Sequence, residues 1–242
     1  MTDVMTRMSA ETTMKIPKII DISLELDARN FHMRTPTGFK RDMQFEVEVI
    51  KDFDAPGGAG QIVRGVHMRL HAGSHVDAPE HFVKGGKQIH ELPLETFYGP
   101  AVIADVRHRM PGGGITADDL EKACGQDFRK GDRLLIRTDC NVNYDGSMEW
   151  QKRSPYLTNG AIDWCLAREV PIVGFDMYHG ADAPQSNVVF NTSRRFQEAG
   201  VVTMPYLKNL GAIGKKRVTL IALPLKMIGV EASPIRAVVL ED

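Results

Sequence analysis

The sequence predicts an α/β fold built on a mixed β-sheet. Segments of strand length outnumber helical segments along the chain. The two kinds of segment interleave, which favours a sheet covered by helices over a sandwich of two sheets. No motif recurs at a fixed period, so a solenoid or a propeller is not indicated.

Apolar runs and alternating runs of strand length predict the strands. Alternation of apolar and polar residues is clearest at 45–53, whereas the run at 99–106 is continuously apolar and predicts a strand buried on both faces. The full set of predicted strands is 18–26, 45–53, 62–71, 99–106, 131–139, 171–177, 201–207, 217–225 and 235–242.

Three helices are predicted between these strands. The segment 111–125 begins as a loop, and Thr116 with Asp119 has the spacing of a capping box that Gly125 can follow as the helix end. The segments 158–170 and 193–200 predict the other two helices.

Length and composition limit the possible functions. At 242 residues we expect a flexible tail (1–15) and one domain (16–242). The 30 basic and 31 acidic residues leave a net charge of −1, which does not favour nucleic acid or an anionic membrane as a partner. No apolar stretch approaches the roughly 20 residues of a membrane span. Three widely spaced cysteines (Cys124, Cys140 and Cys165) indicate free thiols, and we expect a cytoplasmic protein without a signal peptide.

The segment 71–81, HAGSHVDAPEH, concentrates three histidines and an aspartate. Gly73 and Pro79 oppose a helix. In a straight strand His71 and His75 would be about 13 Å apart at about 3.3 Å per residue, too far for one ion to bridge. We therefore predict a reversal at Gly73 followed by a re-entrant loop. Ser74 is expected to stabilise the turn through a local hydrogen bond.

In this fold-back, His71, His75 and Asp77 can form one face of a divalent-metal site with open positions for water and substrate. His81 is close enough to share the cavity. The alternation before the motif predicts that His67 also points towards the cleft. Incidental clustering of histidines remains the alternative interpretation.

The segment resembles the motif H-x-G-T-H-x-D-x-P-x-H of the metal-dependent cyclase-family hydrolases, which include bacterial arylformamidases (kynurenine formamidases) and isatin hydrolases. Every fixed position matches except Ser74, which replaces threonine and keeps the hydroxyl group. Weaker similarities follow in chain order at 19–23 (IIDIS), 173–176 (VGFD) and 206–210 (YLKNL).

The resemblance implies a swivelling β/β/α domain that assembles as a homodimer or a homotetramer and acts on a small-molecule substrate. It assigns His71, His75 and Asp77 as metal ligands. It assigns His81 as the residue that transfers protons during catalysis.

The chain departs from the family where dinuclear members hold a second ion. Ser193 and Pro205 stand near the places of a histidine and a glutamate ligand, so we expect one Mn²⁺ or Zn²⁺ per chain. His179 and Phe31, the latter in the long loop 27–44, are candidate substrate-binding residues. Ordinary packing of these two residues on their own domain is the alternative.

The predicted function is hydrolysis of the C–N bond of a small amide or cyclic amide, arylformamide-like or isatin-like, by metal-activated water. His81 would deprotonate the water and then protonate the leaving group. Two alternatives stay open: hydrolysis of a lactone or another bond beside a carbonyl in the same fold, and a catalytically inactive relative that binds a metal or ligand. A serine hydrolase is not indicated, because no G-x-S-x-G elbow is present.

Overall fold

The structure is a computed structural model, and it describes residues 16–27, 45–54, 56, 60–178 and 190–241. The predicted tail, most of the loop 27–44, and the two candidate substrate-binding residues Phe31 and His179 lie outside the described residues.

The described part of the chain contains strands and helices in mixed order. The strands are β1 (Lys18–Asp21), β2 (Phe45–Lys51), β3 (Val63–Met68), β4 (His75–Asp77), β5 (Tyr98–Asp105), β6 (Gly114–Ile115), β7 (Arg133–Arg137), β8 (Tyr156–Leu157), β9 (Ile172–Phe175), β10 (Val202–Met204), β11 (Arg217–Ile221), β12 (Ala232–Pro234) and β13 (Val238–Glu241). The α-helices are α1 (Ala117–Leu120), α2 (Met148–Arg153), α3 (Asn159–Ala167) and α4 (Asn191–Glu198).

Nine strands form one mixed sheet in the order β1-β13-β11-β5-β7-β9-β10-β4-β12. The central strands β5, β7, β9 and β10 are parallel, and the flanking strands pair antiparallel. Strands β2 and β3 form a separate hairpin, and β6 and β8 form a short parallel pair. The predicted α/β class with a mixed sheet is confirmed.

Two apolar cores form from alternate residues of the same strands. In β7, Leu134 and Ile136 join one cluster with Ile162 of α3, while Leu135 joins the other with Val239 of β13. Successive strand residues point to opposite faces, so β5, β7 and β9 each contribute to both cores. This explains why the parallel strands are continuously apolar in sequence.

The first predicted helix is divided into two parts. The capping box is confirmed: Thr116 Oγ1 accepts from Asp119 N at 3.2 Å, and an Asp119 carboxylate oxygen accepts from Thr116 N at 2.7 Å. The helix α1 then continues as a π-helical turn over Glu121–Gly125, where the predicted end falls. No helix among the described residues is long and apolar enough to span a bilayer.

The predicted direction of His67 is wrong. Its strand, β3, ends at Met68, and the His67 ring is exposed and lies 3.2 Å from Glu48 on β2. Val66, on the opposite face, is also 53% exposed. In the described part of the chain, β2 and β3 pair only with each other, and side chains on both faces of the hairpin are exposed. Alternation alone could therefore not show which face would be buried.

Candidate metal centre

The reversal before β4 has the predicted backbone geometry. Gly73 has a φ of +62°, a left-handed conformation that favours glycine. A Cβ atom at this position would lie 2.6 Å from Leu26 Cδ2. Ala78 is extended (φ −82°, ψ 161°) before Pro79, and a 3-10 turn over Pro79–His81 follows. The motif therefore folds back as expected.

Ser74 connects the turn to two distant segments rather than to its own backbone. Its Oγ accepts from Leu24 N at 2.8 Å and donates to the Tyr206 carbonyl at 2.7 Å. All three residues are buried. The expected local hydrogen bond is thus replaced by long-range ones, which fix the turn against the segment after β1 and the segment after β10.

Two histidines converge on one carboxylate oxygen. Asp77 Oδ1 lies 2.8 Å from His71 Nδ1 and 3.1 Å from His75 Nε2. Asp77 is fully buried, and its Oδ2 accepts from Thr203 Oγ1 at 3.0 Å. The pairing of Asp77 with Thr203 across β4 and β10 places this hydroxyl. The structure therefore brings together the three predicted ligands.

The tautomer of His75 favours a cation beside Asp77. Its Nδ1 lies 2.8 Å from the Gly73 carbonyl, which can only accept, so Nδ1 carries the proton. In the neutral ring, Nε2 then directs a lone pair towards the carboxylate oxygen of Asp77. A cation bound by both atoms would offset this repulsion, and the donor set of imidazole and carboxylate suits Mn²⁺ or Zn²⁺.

Glu231 contacts the other nitrogen of His71, and this contact could not be predicted from the sequence. Its Oε1 lies 2.9 Å from His71 Nε2, although the two residues are 160 positions apart. The pairing of β12 with β4 aligns Ala232 with Asp77, and the Glu231 carbonyl accepts from Ala78 N at 2.8 Å. Only the topology of the sheet could have revealed this neighbour.

His81 lies beside the same cluster. Its ring centroid is 4.3 Å from that of His71. One potential ligand atom from each of His71, Asp77 and His81 can be chosen so that all lie within 4.8 Å of one another. The three histidines of the motif therefore lie around Asp77.

The charges of the cluster shift its pKa values in different directions. Burial alone would lower the pKa of His71, but the carboxylates of Asp77 and Glu231 outweigh burial and raise it. Burial lowers the pKa of His81, and the neighbouring His71 contributes in the same direction, against the attraction of Asp77. For Glu231, burial would raise the pKa, yet hydrogen bonds from its own backbone and from His71 hold it below its usual range.

An aromatic wall lies next to His75. The ring of Tyr206 is centred 5.8 Å from that of His75, and Trp150 stacks on Tyr206 at 6.2 Å. Tyr206 is buried and has a φ of +60°, an uncommon conformation for an aromatic residue that costs about 1–3 kcal/mol. The surrounding structure thus holds an aromatic group beside the candidate ligands.

Ser193 and Pro205, which we expect near the places of second-ion ligands, are buried near the same strands. Ser193 is fully buried on α4, and Pro205 is buried directly after β10. One turn beyond Ser193, Gln197 donates to Thr203 Oγ1 at 3.4 Å. A hydroxyl group and a proline offer neither an imidazole nor a carboxylate as a metal ligand.

The three cysteines are free and buried. Burial raises the pKa of Cys124 to about 12 and that of Cys140 to about 11, and it also raises that of Cys165. A metal ligand or nucleophile would need to be a thiolate, whereas these thiols stay protonated. The three cysteines are therefore core residues, as predicted from the sequence.

Comparisons with known proteins agree with this geometry. A family model described as putative cyclase matches residues 20–183. The kynurenine formamidase of Salinibacter ruber is 30% identical over 178 residues, which cover 72% of this chain and 77% of that protein. The kynurenine formamidase of Bacillus anthracis is 28% identical over 228 residues, or 93% and 99% of the two chains. The structure of isatin hydrolase A from Labrenzia aggregata, bound to benzyl benzoate, has a TM-score of 0.80 at 24% identity and covers 93% of both chains.

Proposed function

The chain belongs to the putative cyclase family, and from this premise we propose that it is a metal-dependent hydrolase that cleaves the C–N bond of a small amide or cyclic amide. The resemblance of residues 71–81 to this family is confirmed. The kynurenine formamidases and isatin hydrolases among its relatives support an amidohydrolase acting on non-peptide bonds. The convergence of His71 and His75 on Asp77 Oδ1 is the observation that carries the proposal.

In this proposal His71, His75 and Asp77 would hold one Mn²⁺ or Zn²⁺ per chain. When bound, such an ion lowers the pKa of water to about 7 and polarises a carbonyl oxygen. The Gly73 carbonyl fixes the ring of His75, and Glu231 fixes that of His71. Carboxylate and carbonyl partners of this kind set the tautomer and orientation of metal-binding histidines.

We assign His81 as the residue that moves protons. Its ring is 4.3 Å from the His71 ring, so it can reach a water molecule or substrate beside the ligands. One ring nitrogen would accept a proton from the attacking water and then donate it to the leaving nitrogen. Tyr206 and Trp150 are buried behind His75 and brace its ring beside the candidate ligands.

Two further expectations belong to this proposal. We expect a homodimer or a homotetramer, supported by the exposed apolar side chains of the hairpin β2–β3: Val47, Val49 and Val66. Light scattering coupled to size exclusion tests this directly. We also expect a cytoplasmic location, which suits three free thiols.

The proposal is tested with formanilide and isatin as substrates. We expect hydrolysis by the purified protein, loss of hydrolysis on treatment with a chelator, and recovery with Mn²⁺ or Zn²⁺. Hydrolysis of lactones alone, or metal binding without turnover of any carbonyl substrate, would contradict it.

Two ligand sets are possible: His71 and Asp77 with His75, or His71 and Asp77 with His81. Measuring bound metal and turnover in two variants separates them. His75→Ala should lose the bound ion, as measured by mass spectrometry, whereas His81→Ala should keep it and lose turnover by about 10²–10⁴-fold. Loss of the ion in His81→Ala with retention in His75→Ala would instead assign His81 as the ligand. The exposed His67 provides the matched control, since His67→Ala should change neither property.

A further inference from the structure

Arg194 and His81 both contact the ring of Phe82. Its guanidinium carbon is 5.1 Å from the centroid of the Phe82 ring, and the Phe82 ring is centred 4.5 Å from the His81 ring. Phe190, at the start of α4, is centred 5.9 Å from Phe82. Arg194 therefore belongs to an aromatic and cationic group that adjoins the candidate metal centre.

Helix α4, which carries Arg194, packs against β10, the strand that pairs with β4 beside the candidate metal ligands. Ser193, adjacent to Arg194, is fully buried, and Gln197 on the same helix face donates to Thr203. Thr203 in turn donates to Asp77, so α4 packs behind the candidate ligands. Arg194 is half-buried at the border of this packed face.

Among the described residues, the guanidinium of Arg194 has no hydrogen-bond or carboxylate partner. Its Nε is buried and makes no hydrogen bond, and no carboxylate in the described part of the chain pairs with it. The next residue, Arg195, differs: it donates to the Asn159 side chain at 3.1 Å and to Asp163 at 2.6 Å. Buried polar groups are normally satisfied, and an unsatisfied one calls for a missing partner.

We propose that Arg194 binds the carboxylate of an aromatic substrate. This proposal rests on the proposed function and narrows the substrate class of the enzyme to anionic aryl amides. The two Nη atoms of a guanidinium form a planar pair of donors that matches the two oxygens of a carboxylate. Phe82 holds the guanidinium from one face by a cation–π contact. Arg194 is thus a specificity residue, and it takes no part in the proton transfers.

The test compares 2-formamidobenzoate with neutral formanilide on the metal-loaded enzyme. Arg194→Ala should lower kcat/KM for the anionic substrate about 10- to 100-fold, chiefly through KM, and change that of formanilide less than threefold. Arg194→Lys should recover part of the loss, because lysine keeps the charge but not the paired donors. Arg195→Ala is the matched control and should affect neither substrate. Equal losses for both substrates in Arg194→Ala would overturn the proposal.

Binding of benzoate, measured by calorimetry, gives a readout that does not require turnover. We expect Arg194→Ala to weaken benzoate binding about tenfold or more, while Arg195→Ala leaves it unchanged. If no amide is hydrolysed but this difference is observed, the proposed function fails and the anion site stands. If wild type does not bind benzoate, or Arg194→Ala binds it as tightly as wild type does, the anion site is wrong.

Discussion

Replacing Ser74 with alanine removes a hydroxyl group that joins three segments at the candidate metal centre. The hydroxyl accepts from Leu24 N at 2.8 Å and donates to the Tyr206 carbonyl at 2.7 Å. Leu24 and Tyr206 are buried, at 5% and 3% exposed, so water cannot readily replace the lost partner. Each buried group left unsatisfied costs about 1–3 kcal/mol. We therefore expect Ser74→Ala to lower the free energy of unfolding by about 2–4 kcal/mol.

Urea denaturation of the metal-free protein, followed by tryptophan fluorescence, measures this loss. With an m-value of about 2–3 kcal/mol/M, the midpoint should fall by about 1 M. Ser74→Thr keeps the hydroxyl group and is the matched control, expected within about 1 kcal/mol of wild type. A midpoint shift below about 0.2 M for alanine, or equal losses for alanine and threonine, would refute the reasoning.

Three more predictions concern the turn, the metal ligands and the helix cap. Gly73→Ala should lower the free energy of unfolding by about 1–3 kcal/mol in urea denaturation, because it combines a positive φ with a Cβ 2.6 Å from a leucine side chain; stability equal to wild type would contradict this. Glu231→Ala should weaken Mn²⁺ or Zn²⁺ binding about 10- to 100-fold, as measured by calorimetry. Glu231→Gln should weaken binding less, and the exposed control Glu25→Gln should not change it. Unchanged affinity in Glu231→Ala would show that Glu231 is not a positioning residue. Burial would raise the pKa of Asp119, but the hydrogen bond from Arg109 outweighs burial and holds the pKa well below its usual range. Asp119 therefore contributes stability above about pH 4 that is lost as the pH falls further. Asp119→Asn should be about 1–2 kcal/mol less stable at pH 7, and the difference should narrow by pH 3; a difference independent of pH would be contrary to this account.

Features set by neighbouring residues could be predicted from the sequence. The reversal at Gly73 followed from the absence of a Cβ, and the extended Ala78 followed from the proline after it. The capping box of Thr116 and Asp119 is likewise contained within four residues. In each case the physical cause lies inside a short window of the chain.

Features set by strand pairing could not be predicted in this way. Glu231 and Thr203 reach the site because β12 and β10 flank β4 in the sheet. Nothing in their own neighbourhoods in the sequence marks them. His67 lies in a segment whose apolar–polar alternation correctly predicted a strand. That strand, however, belongs to a hairpin separate from the main sheet, so the predicted direction of the His67 side chain was wrong. The order of the strands, rather than their identification, was the missing information.

The most direct test of the metal-dependent hydrolase is a titration of Mn²⁺ or Zn²⁺ into chelator-treated protein, with formanilide turnover followed against bound metal. Wild type should gain activity in proportion to bound metal and reach its plateau at about one ion per chain. Asp77→Asn, with its fold checked by thermal unfolding, should bind no ion tightly and stay inactive. Turnover by metal-free protein, or full turnover by Asp77→Asn, would contradict the account.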